Sequence, residues 1–270
     1  MSGLVDEADF NSAHERDCAR ALRLVAQGTA RSRAEIARAL GLRSTTTSRV
    51  VADLVERRLL LETVGEAHGR GRPAGGLIFN PQRIGGAVVQ IASRSFVGSV
   101  IDLNETVLAR RAVEVPSDAD NPAISRQLAA LARALADDMP RGMIHAGNAV
   151  SDSGLIDLPR KQWVMAARWP RMRRLAIEEV LADIGGPVEI CRNLDADLRA
   201  RVAREPQSFG QGPILLLHWG WGIGTAYAID GRPFTSEGGS FGEIGHWRLA
   251  ALGDRPCTCG NAGCLETGAA

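Results

Sequence analysis

The sequence predicts an α/β protein in two parts, a small winged helix-turn-helix domain at residues 15–80 and a larger domain at residues 84–270. Two short amphipathic helices joined by a turn that contains glycine indicate the helix-turn-helix. Strands then alternate with helices, which is typical of an α/β domain. Near the end of the sequence, three of the five cysteines fall within eight positions, which marks the site of its most distinctive chemistry.

Composition limits the classes of function. A protein of 270 residues with 45% apolar residues suits two globular domains, and its net charge of +1 gives no argument for or against nucleic acid. The sequence contains neither an apolar run of about 20 residues nor a signal-peptide pattern, so we expect a cytoplasmic protein without a membrane partner. In that reducing compartment, clustered cysteines favour metal binding over disulfides.

The N-terminal part begins with residues 1–14, which are polar and lack periodicity, and we expect a flexible tail there. Helical spacing of apolar residues predicts a first helix at residues 15–27. Ser32 is a candidate cap for a second helix ending at Gly41, with Glu35 completing a capping box. After a three-residue turn, Ser44 is expected to cap a third helix that runs to residue 57.

The third helix has the composition of a DNA recognition helix. Small hydroxyl side chains and arginine can reach base edges and phosphates, and its exposed start supplies Ser44, Thr45, Thr46, Thr47 and Arg49. Two predicted strands, residues 59–61 and 77–79, flank a Gly-Arg-Gly-Arg-Pro loop. Its two arginines, Arg70 and Arg72, suit a narrow minor groove. The alternative is a helical protein-interaction module with a solvated, arginine-rich loop.

The larger domain alternates strands and helices along its length. Apolar runs bounded by turn residues predict the strands, and apolar residues at helical spacing predict the helices. The predicted strands lie near residues 87–91, 97–103, 106–109, 142–147, 187–191, 213–218 and 224–229, and the predicted helices near 121–138, 171–184 and 195–204.

The cysteine cluster predicts a zinc site. Zinc prefers four ligands in a tetrahedron, and thiolate and imidazole donors suit it. The predicted ligands are His246, Cys257, Cys259 and Cys264, with glycines that permit the tight reversals between them. All four positions are filled by protein, so we expect a structural metal and not a water activator. The alternative is a set of buried free thiols beside an ordinary core histidine.

These residues carry a family resemblance. The segments Gly-Glu-Ile-Gly-His at 242–246 and Cys-Thr-Cys-Gly-Asn-Ala-Gly-Cys-Leu-Glu at 257–266 resemble the signature of the ROK family, which comprises repressors, open reading frames and kinases. Members are bacterial sugar kinases and sugar-responsive transcription factors, and the resemblance implies an actin-like, hexokinase-like α/β fold. The N-terminal stretch is similar to the winged helix-turn-helix of ROK repressors, including the Gly-Arg-Gly-Arg-Pro wing.

The resemblance also implies where kinase chemistry would lie. In ROK kinases a first phosphate loop reads Asp-x-Gly-Gly-Thr, but the matching residues here are Gln90 to Ser95, with Arg94 where a glycine is expected. The second loop, Gly-Thr-Gly-Ile-Gly in kinases, carries Trp221 in place of threonine. We therefore expect no nucleotide binding and no enzymatic activity.

The sequence matches the family's sugar-binding positions better than it matches the phosphate loops. The kinase base position matches Asp195, for which a helix N-cap is the alternative role. Glu243, His246 and Glu266 match family positions that contact sugar hydroxyls. In the family's Pro-Gly-Pro-Val-Asp loop only Gly147 remains, within residues 147–150.

The overall expectation is a transcriptional regulator of sugar metabolism, acting as a repressor. Its expected partners are an operator DNA, a sugar or sugar derivative as effector, and a second copy in a homodimer. ROK repressors continue well past the Gly-Cys-Leu-Glu motif, so we expect the domain to be truncated at its C-terminus, with an incomplete second lobe. The alternatives are an ATP-dependent ROK sugar kinase and a DNA-binding protein with a vestigial sensor that binds nothing.

Overall fold

The computed structural model describes residues 12–63, 76–91, 95–220, 222–236 and 239–269. The protein divides into two compact units. The first comprises the residues up to 84 together with 102–104 and 142–144, and the second comprises the rest. The predicted wing with Arg70 and Arg72 lies outside the described residues, as do Arg94 and Trp221.

The first unit contains three helices followed by two strands, in the order that the sequence predicts. Its described elements are α1 (Ala13–Ala26), α2 (Arg33–Leu40), α3 (Ser44–Glu56), β1 (Leu60–Thr63) and β2 (Gly76–Phe79). The two strands pair antiparallel, with Leu60 opposite Phe79. The apolar faces of the helices meet in one core around Ile36, Val50, Leu54 and Leu60, all at most 1% exposed. Burying these faces is the main source of stability for helices this short.

The predicted start of α2 is confirmed and that of α3 is corrected. The hydroxyl of Ser32 accepts a hydrogen bond from the Glu35 N–H at 3.3 Å, and Gly41 ends α2 in a left-handed conformation. For α3, the cap position is held by Arg43, which makes no side-chain hydrogen bond there. Ser44 is the first helical residue, so its predicted role as the cap is wrong.

The second unit alternates strands and helices, as expected for an α/β domain. Its described elements are, in chain order, β3 (Ile84–Ile91), β4 (Ser95–Asp102), β5 (Val107–Glu114), α4 (Asn121–Asp137), β6 (Ile144–Asp152), β7 (Leu155–Asp157), β8 (Gln162–Met165), β9 (Leu175–Ala176), α5 (Ile177–Val180), β10 (Val188–Arg192), α6 (Asn193–Arg204), α7 (Pro206–Phe209), β11 (Pro213–Trp219), β12 (Ile223–Ile229) and β13 (Arg232–Phe234).

Three sheets organise this unit. The largest has the strand order β10-β6-β3-β4-β5, and two three-stranded sheets have the orders β7-β8-β9 and β11-β12-β13. Strands β6 and β10 run parallel, so their carboxyl ends meet at one edge, where Arg192 lies opposite Asp152. Helix α6 begins there and packs its Leu198 against Ala226 and Ala228 of β12. This edge and the β11–β12 hairpin position the candidate ligand site.

Two sequence predictions fail in the second unit. The helix predicted at 171–184 is a short strand, one turn of α-helix and a 3₁₀ turn. Arg174 has a φ of 47°, which interrupts a right-handed helix, and Leu175 then pairs with Trp163 of β8. Residues 147–150, expected in a loop, lie inside β6, where residues 148–150 pair with β10, and the backbone reverses only at Ser153–Gly154.

Aromatic packing accounts for two of the five tryptophans. Trp163 and Trp169 are fully buried with Phe96, at ring-centroid separations of 5.5–6.4 Å. Each indole N–H donates to a backbone carbonyl, that of Ser153 or Pro116, at 3.0 Å. These side chains are core residues and not ligand contacts. Among the helices of the described residues, none has the length and apolar character needed to cross a membrane.

Candidate metal centre and ligand cleft

The backbone between residues 242 and 268 folds back on itself to gather the predicted metal ligands. His246 ends a 3₁₀ turn, Ile244–His246, and Cys264 precedes another, Leu265–Gly268. The two turns are joined by a hydrogen bond from the Leu265 N–H to the Trp247 carbonyl at 2.9 Å. At Gly245, a Cβ atom would lie 2.4 Å from the Ile223 carbonyl, so only glycine allows this close approach.

The ligand atoms of the four predicted residues converge within 4.8 Å of one another. Cys257 Sγ lies 3.7 Å from His246 Nδ1, and Cys259 Sγ lies 3.8 Å from Cys264 Sγ. A tetrahedral zinc ion with bonds of about 2.3 Å to sulfur and about 2.0 Å to nitrogen holds its ligand atoms about 3.5–3.8 Å apart. The donor types and these two separations therefore fit zinc, and the cluster can hold it.

Burial shapes the protonation of the three thiols. It raises the pKa of Cys257 to about 12, and it raises the pKa of Cys264 with help from a hydrogen bond to Cys259. Burial acts in the same direction on Cys259, but hydrogen bonds from the Asn261 backbone and the two other thiols outweigh it and lower the pKa of that residue. The loop thus favours one thiolate among the three, before any metal is considered.

Glu266, a predicted sugar contact, lies against this cluster. Its Oε1 accepts a hydrogen bond from the Cys257 thiol at 3.1 Å and lies 3.5 Å from His246 Nδ1. Because Nδ1 of His246 faces the sulfur, Nε2 is the ring nitrogen left for another partner. The Glu266 carboxylate is therefore in direct contact with two of the four predicted metal ligands.

Two other predicted sugar contacts, Asp195 and Glu243, are joined by Arg192. The Arg192 guanidinium lies 3.3 Å from Asp195 Oδ1 and 2.8 Å from Glu243 Oε1, and it also donates to the Thr225 carbonyl at 3.3 Å. The side chains of Arg192 and Asp195 are each only 4% exposed. Burial raises the pKa of Asp195 and of Glu243, and the positive charge of Arg192 opposes the shift at both.

Sequence reasoning missed Arg192 because it lies outside the motif that singled out Asp195. It ends β10 where a buried strand gives way to α6, and only the fold brings Glu243 to it from 51 positions away. The N-cap role considered for Asp195 is wrong, since Arg192 is the cap residue and Asp195 lies in the first turn. Of the four predicted sugar contacts, the fold thus pairs Asp195 with Glu243 and His246 with Glu266.

The predicted DNA-facing side chains of α3 divide by exposure. Ser44, Thr45 and Arg49 are exposed and Thr46 is half-buried. Thr47 is 1% exposed and its hydroxyl donates to the Arg43 carbonyl at 3.1 Å. Thr47 therefore supports the helix from inside, and its predicted contact with DNA is corrected.

Part of each segment that matches a kinase phosphate loop lies within the described residues. Gln90, where a kinase carries a metal-binding aspartate, lies exposed near the end of β3. Between β11 and β12, the Gly220 N–H donates to the Gly222 carbonyl at 3.1 Å, so this amide is already satisfied within the turn. The tryptophans beside these elements include two exposed rings, Trp219 at 60% and Trp247 at 66%.

Comparison with known proteins gives a family match. The model of the ROK family matches residues 87–270, which is more than half of the sequence. Among curated proteins, the DNA-binding transcriptional dual regulator NagC of Escherichia coli K12 is 27% identical over 92% of this chain and 61% of its own length. The DNA-binding transcriptional repressor Mlc of the same organism is 25% identical over 91% of this chain and 60% of its own length.

Sugar kinases are similar over shorter stretches. The N-acetyl-D-glucosamine kinase of Erwinia tasmaniensis is 34% identical over 28% of this chain and 33% of its own length. The sequence spans about 61% of the length of the curated regulators it matches, so the activities of those whole proteins do not transfer directly.

Solved structures agree on the fold. A ROK family transcriptional regulator, described as a homolog of the E. coli Mlc protein, superposes over 95% of this chain and 65% of its own, with a TM-score of 0.66 and 24% identity. The ROK hexokinase of Thermus thermophilus covers 68% of this chain and 59% of its own, with a TM-score of 0.50 and 25% identity. The mixed α/β architecture is therefore shared by regulators and sugar kinases.

Proposed function

The chain belongs to the ROK family, and we propose that within it the protein is a DNA-binding transcriptional repressor controlled by a sugar or sugar derivative. The observation that carries this proposal is the first unit, three helices and two strands ahead of the ROK domain. The sequence similarity to two regulators extends over 92% and 91% of this chain, whereas the sequence similarity to the Erwinia tasmaniensis kinase covers 28% of it.

The first unit supports the DNA-binding part of the proposal. Helices α2 and α3 are joined by residues 41–43, and the exposed start of α3 offers Ser44, Thr45 and Arg49. Two hydroxyls and a guanidinium on one helix end suit base edges and phosphates of the major groove. We propose that α3 is the recognition helix, that Arg70 and Arg72 of the wing enter the minor groove, and that a homodimer binds a near-palindromic operator.

The second unit supports the sugar part. Vicinal hydroxyls of a sugar donate readily to carboxylates, and the four proposed contacts, Asp195, Glu243, His246 and Glu266, include three carboxylates. A structural zinc ion held by His246, Cys257, Cys259 and Cys264 would cross-link the loop that carries Glu243 and Glu266. In this arrangement Nδ1 of His246 faces the metal and Nε2 is available to a sugar hydroxyl.

We propose further that the protein is not a kinase. Phosphoryl transfer requires amides and a metal around the phosphates. The residue at the family's metal-facing aspartate is Gln90, an exposed amide without charge, and one amide of the second loop is occupied by Gly222.

One contact favours a second candidate, a DNA-binding protein whose cleft binds no sugar. Arg192 already engages Asp195 and Glu243, so a sugar would have to displace an ion pair that is largely withdrawn from water. Replacing a buried charge partner with neutral hydroxyls is costly unless other contacts compensate. Thermal-shift screening of hexoses, pentoses, amino sugars and sugar phosphates separates the two candidates, since only a sensor shifts its melting temperature.

The DNA-binding proposal is tested by selecting duplexes from a random pool with the purified protein. We expect enrichment of a near-palindromic site, and we expect Arg49→Ala to weaken its affinity about tenfold or more and to lower its salt dependence. Arg20→Ala, which removes an exposed arginine from α1, is the matched control and should bind as the parent does. The proposal would be refuted if no sequence were enriched and if Arg49→Ala and Arg20→Ala bound DNA with equal affinity.

A further inference from the structure

A second cluster of metal-ligand side chains lies in the first unit. His14 and Cys18 are one helical turn apart on α1, and Asp53 reaches them from α3. The three candidate donor atoms, His14 Nε2, Cys18 Sγ and Asp53 Oδ2, lie within 4.8 Å of one another. They are far along the sequence from the zinc ligands proposed above, and they have no part in the proposed recognition of DNA or sugar.

The separations between these atoms match one face of a zinc tetrahedron. His14 Nε2 lies 3.1 Å from Asp53 Oδ2, Cys18 Sγ lies 3.6 Å from His14 Nε2, and Cys18 Sγ lies 3.5 Å from Asp53 Oδ2. With bonds of about 2.3 Å to sulfur and about 2.0 Å to nitrogen and oxygen, tetrahedral zinc sets the N–O edge at about 3.3 Å and the two sulfur edges at about 3.5 Å. All three observed edges agree with these values within about 0.2 Å.

The surroundings hold the cluster in this arrangement. Positions i and i+4 of a helix share one face, so His14 and Cys18 project together from α1. The second oxygen of Asp53, Oδ1, accepts a hydrogen bond from Arg57 Nε at 2.8 Å, which fixes the carboxylate with Oδ2 toward the other two donors. Metal-binding carboxylates are commonly oriented by such an outer hydrogen bond.

The exposure of the three side chains leaves room for a fourth ligand. The Cys18 residue is only 4% exposed, but the side chains of His14 and Asp53 are 27% and 22% exposed. Three protein ligands with an accessible outer face are compatible with a water molecule as the fourth.

We infer that His14, Cys18 and Asp53 form a second zinc site, separate from the Cys₃His centre, that ties α1 to α3. Asp53 lies one turn beyond Arg49 on the helix proposed to read DNA, so an ion there would fix that helix against α1. The inference depends on neither the sugar nor the operator, because occupancy can be measured on the purified protein.

The test is a cobalt titration of the metal-free protein of residues 1–270, in which the absorbance of the cobalt–thiolate and tetrahedral cobalt bands reports binding. We expect two equivalents to bind to the parent protein and one to Cys259→Ser. Cys18→Ser in the Cys259→Ser background should abolish the remaining tetrahedral signal. Cys191→Ser, which removes a thiol on β10 outside both clusters, is the matched control and should retain both equivalents.

His14→Gln, also in the Cys259→Ser background, provides a second variant if Cys18→Ser does not fold. It replaces a side chain that is about one quarter exposed, so the apolar core is left intact. We expect at least a tenfold loss of cobalt affinity. The inference is overturned if the parent binds a single equivalent that Cys259→Ser removes, or if His14→Gln binds cobalt as tightly as its background.

Discussion

At the scale of single residues, Asp152 is buried at an energetic cost. It ends β6 with both carboxylate oxygens buried and without a hydrogen-bond partner among the described residues. Burial raises its pKa well above the usual value for aspartate. Below about pH 3.9, where an unfolded aspartate is protonated as well, this residue carries no penalty. As pH rises toward the folded pKa, each unit removes about 1.4 kcal/mol from the free energy of unfolding.

Asp152→Asn should therefore stabilise the protein at neutral pH. The amide has the shape of the neutral acid and cannot ionise, so we expect a gain of about 1 kcal/mol or more at pH 7 that shrinks as pH falls. Urea unfolding between pH 5 and pH 8 measures it. Asp157→Asn is the control, because hydrogen bonds from Arg160 lower the pKa of Asp157, so its stabilisation is lost only as pH falls below about 3.9. Its difference from the parent should therefore stay constant between pH 5 and pH 8. A constant difference between Asp152→Asn and the parent at all pH values would contradict this account.

Arg192 is the second residue whose replacement has a predictable cost. Arg192→Ala leaves Asp195 buried without the guanidinium that neutralises it, and loss of one partner from a buried ion pair costs about 3–5 kcal/mol. Arg201→Ala is the matched control, since Arg201 pairs with Asp197 on the same region of α6 but both side chains are nearly half exposed. Its cost should stay below about 1 kcal/mol. If Arg192→Ala and Arg201→Ala lowered the free energy of unfolding in urea equally, Arg192 would not be the bridge between the carboxylates of Asp195 and Glu243.

At the scale of helices and strands, local signals predicted most elements and failed where distant contacts decide. The cap at Ser32, the strands β11 and β12 and the helix α4 carry their own sequence patterns, and all are confirmed. The segment at 171–184 has helical composition, but pairing of β9 with β8 overrides it. Propensity is a weak guide where tertiary contacts compete with it.

In the candidate site too, local sequence signals predicted some residues, and distant contacts decided the others. The Cys₃His cluster was predictable because its ligands are near in sequence and chemically distinctive, and the fold gathers all four. Arg192 was not predictable, because its role depends on β10, α6 and the loop at Glu243 meeting in space. Thr47 was misjudged because the sequence shows the polarity of a side chain but not the direction in which the helix turns it.

The metal loop is the element whose integrity we expect to depend on zinc. Cys259→Ser should lower the zinc content of the second unit by one equivalent and loosen the loop between residues 246 and 266, since such a site hardly exists in the unfolded state. Atomic absorption and limited proteolysis measure the two effects on one preparation. Sugar binding should be lost with the metal, while binding to operator DNA is kept. Normal zinc content in Cys259→Ser would refute the ligand assignment, and normal sugar affinity without zinc would refute the orienting role.

At the scale of the whole molecule, the proposed function requires communication between the two units. If a sugar lowers the affinity for DNA, then DNA lowers the affinity for that sugar by the same factor, since the coupling free energy is reciprocal. Regulators of this family and its kinases share the fold of the second unit, so fold alone does not choose between them. The choice depends on whether the first unit binds DNA and whether a sugar changes that binding.

The most direct measurement is fluorescence anisotropy of a selected operator duplex, titrated with the protein of residues 1–270. The titration is made with and without the sugar that raises the melting temperature of the protein. We predict sequence-specific binding that weakens with salt, is reduced in Arg49→Ala, and loses about 5- to 150-fold in affinity when the sugar is saturating. Binding that is equal for the selected and a scrambled duplex would contradict the account. So would the formation of sugar phosphate when ATP is added to the same preparation.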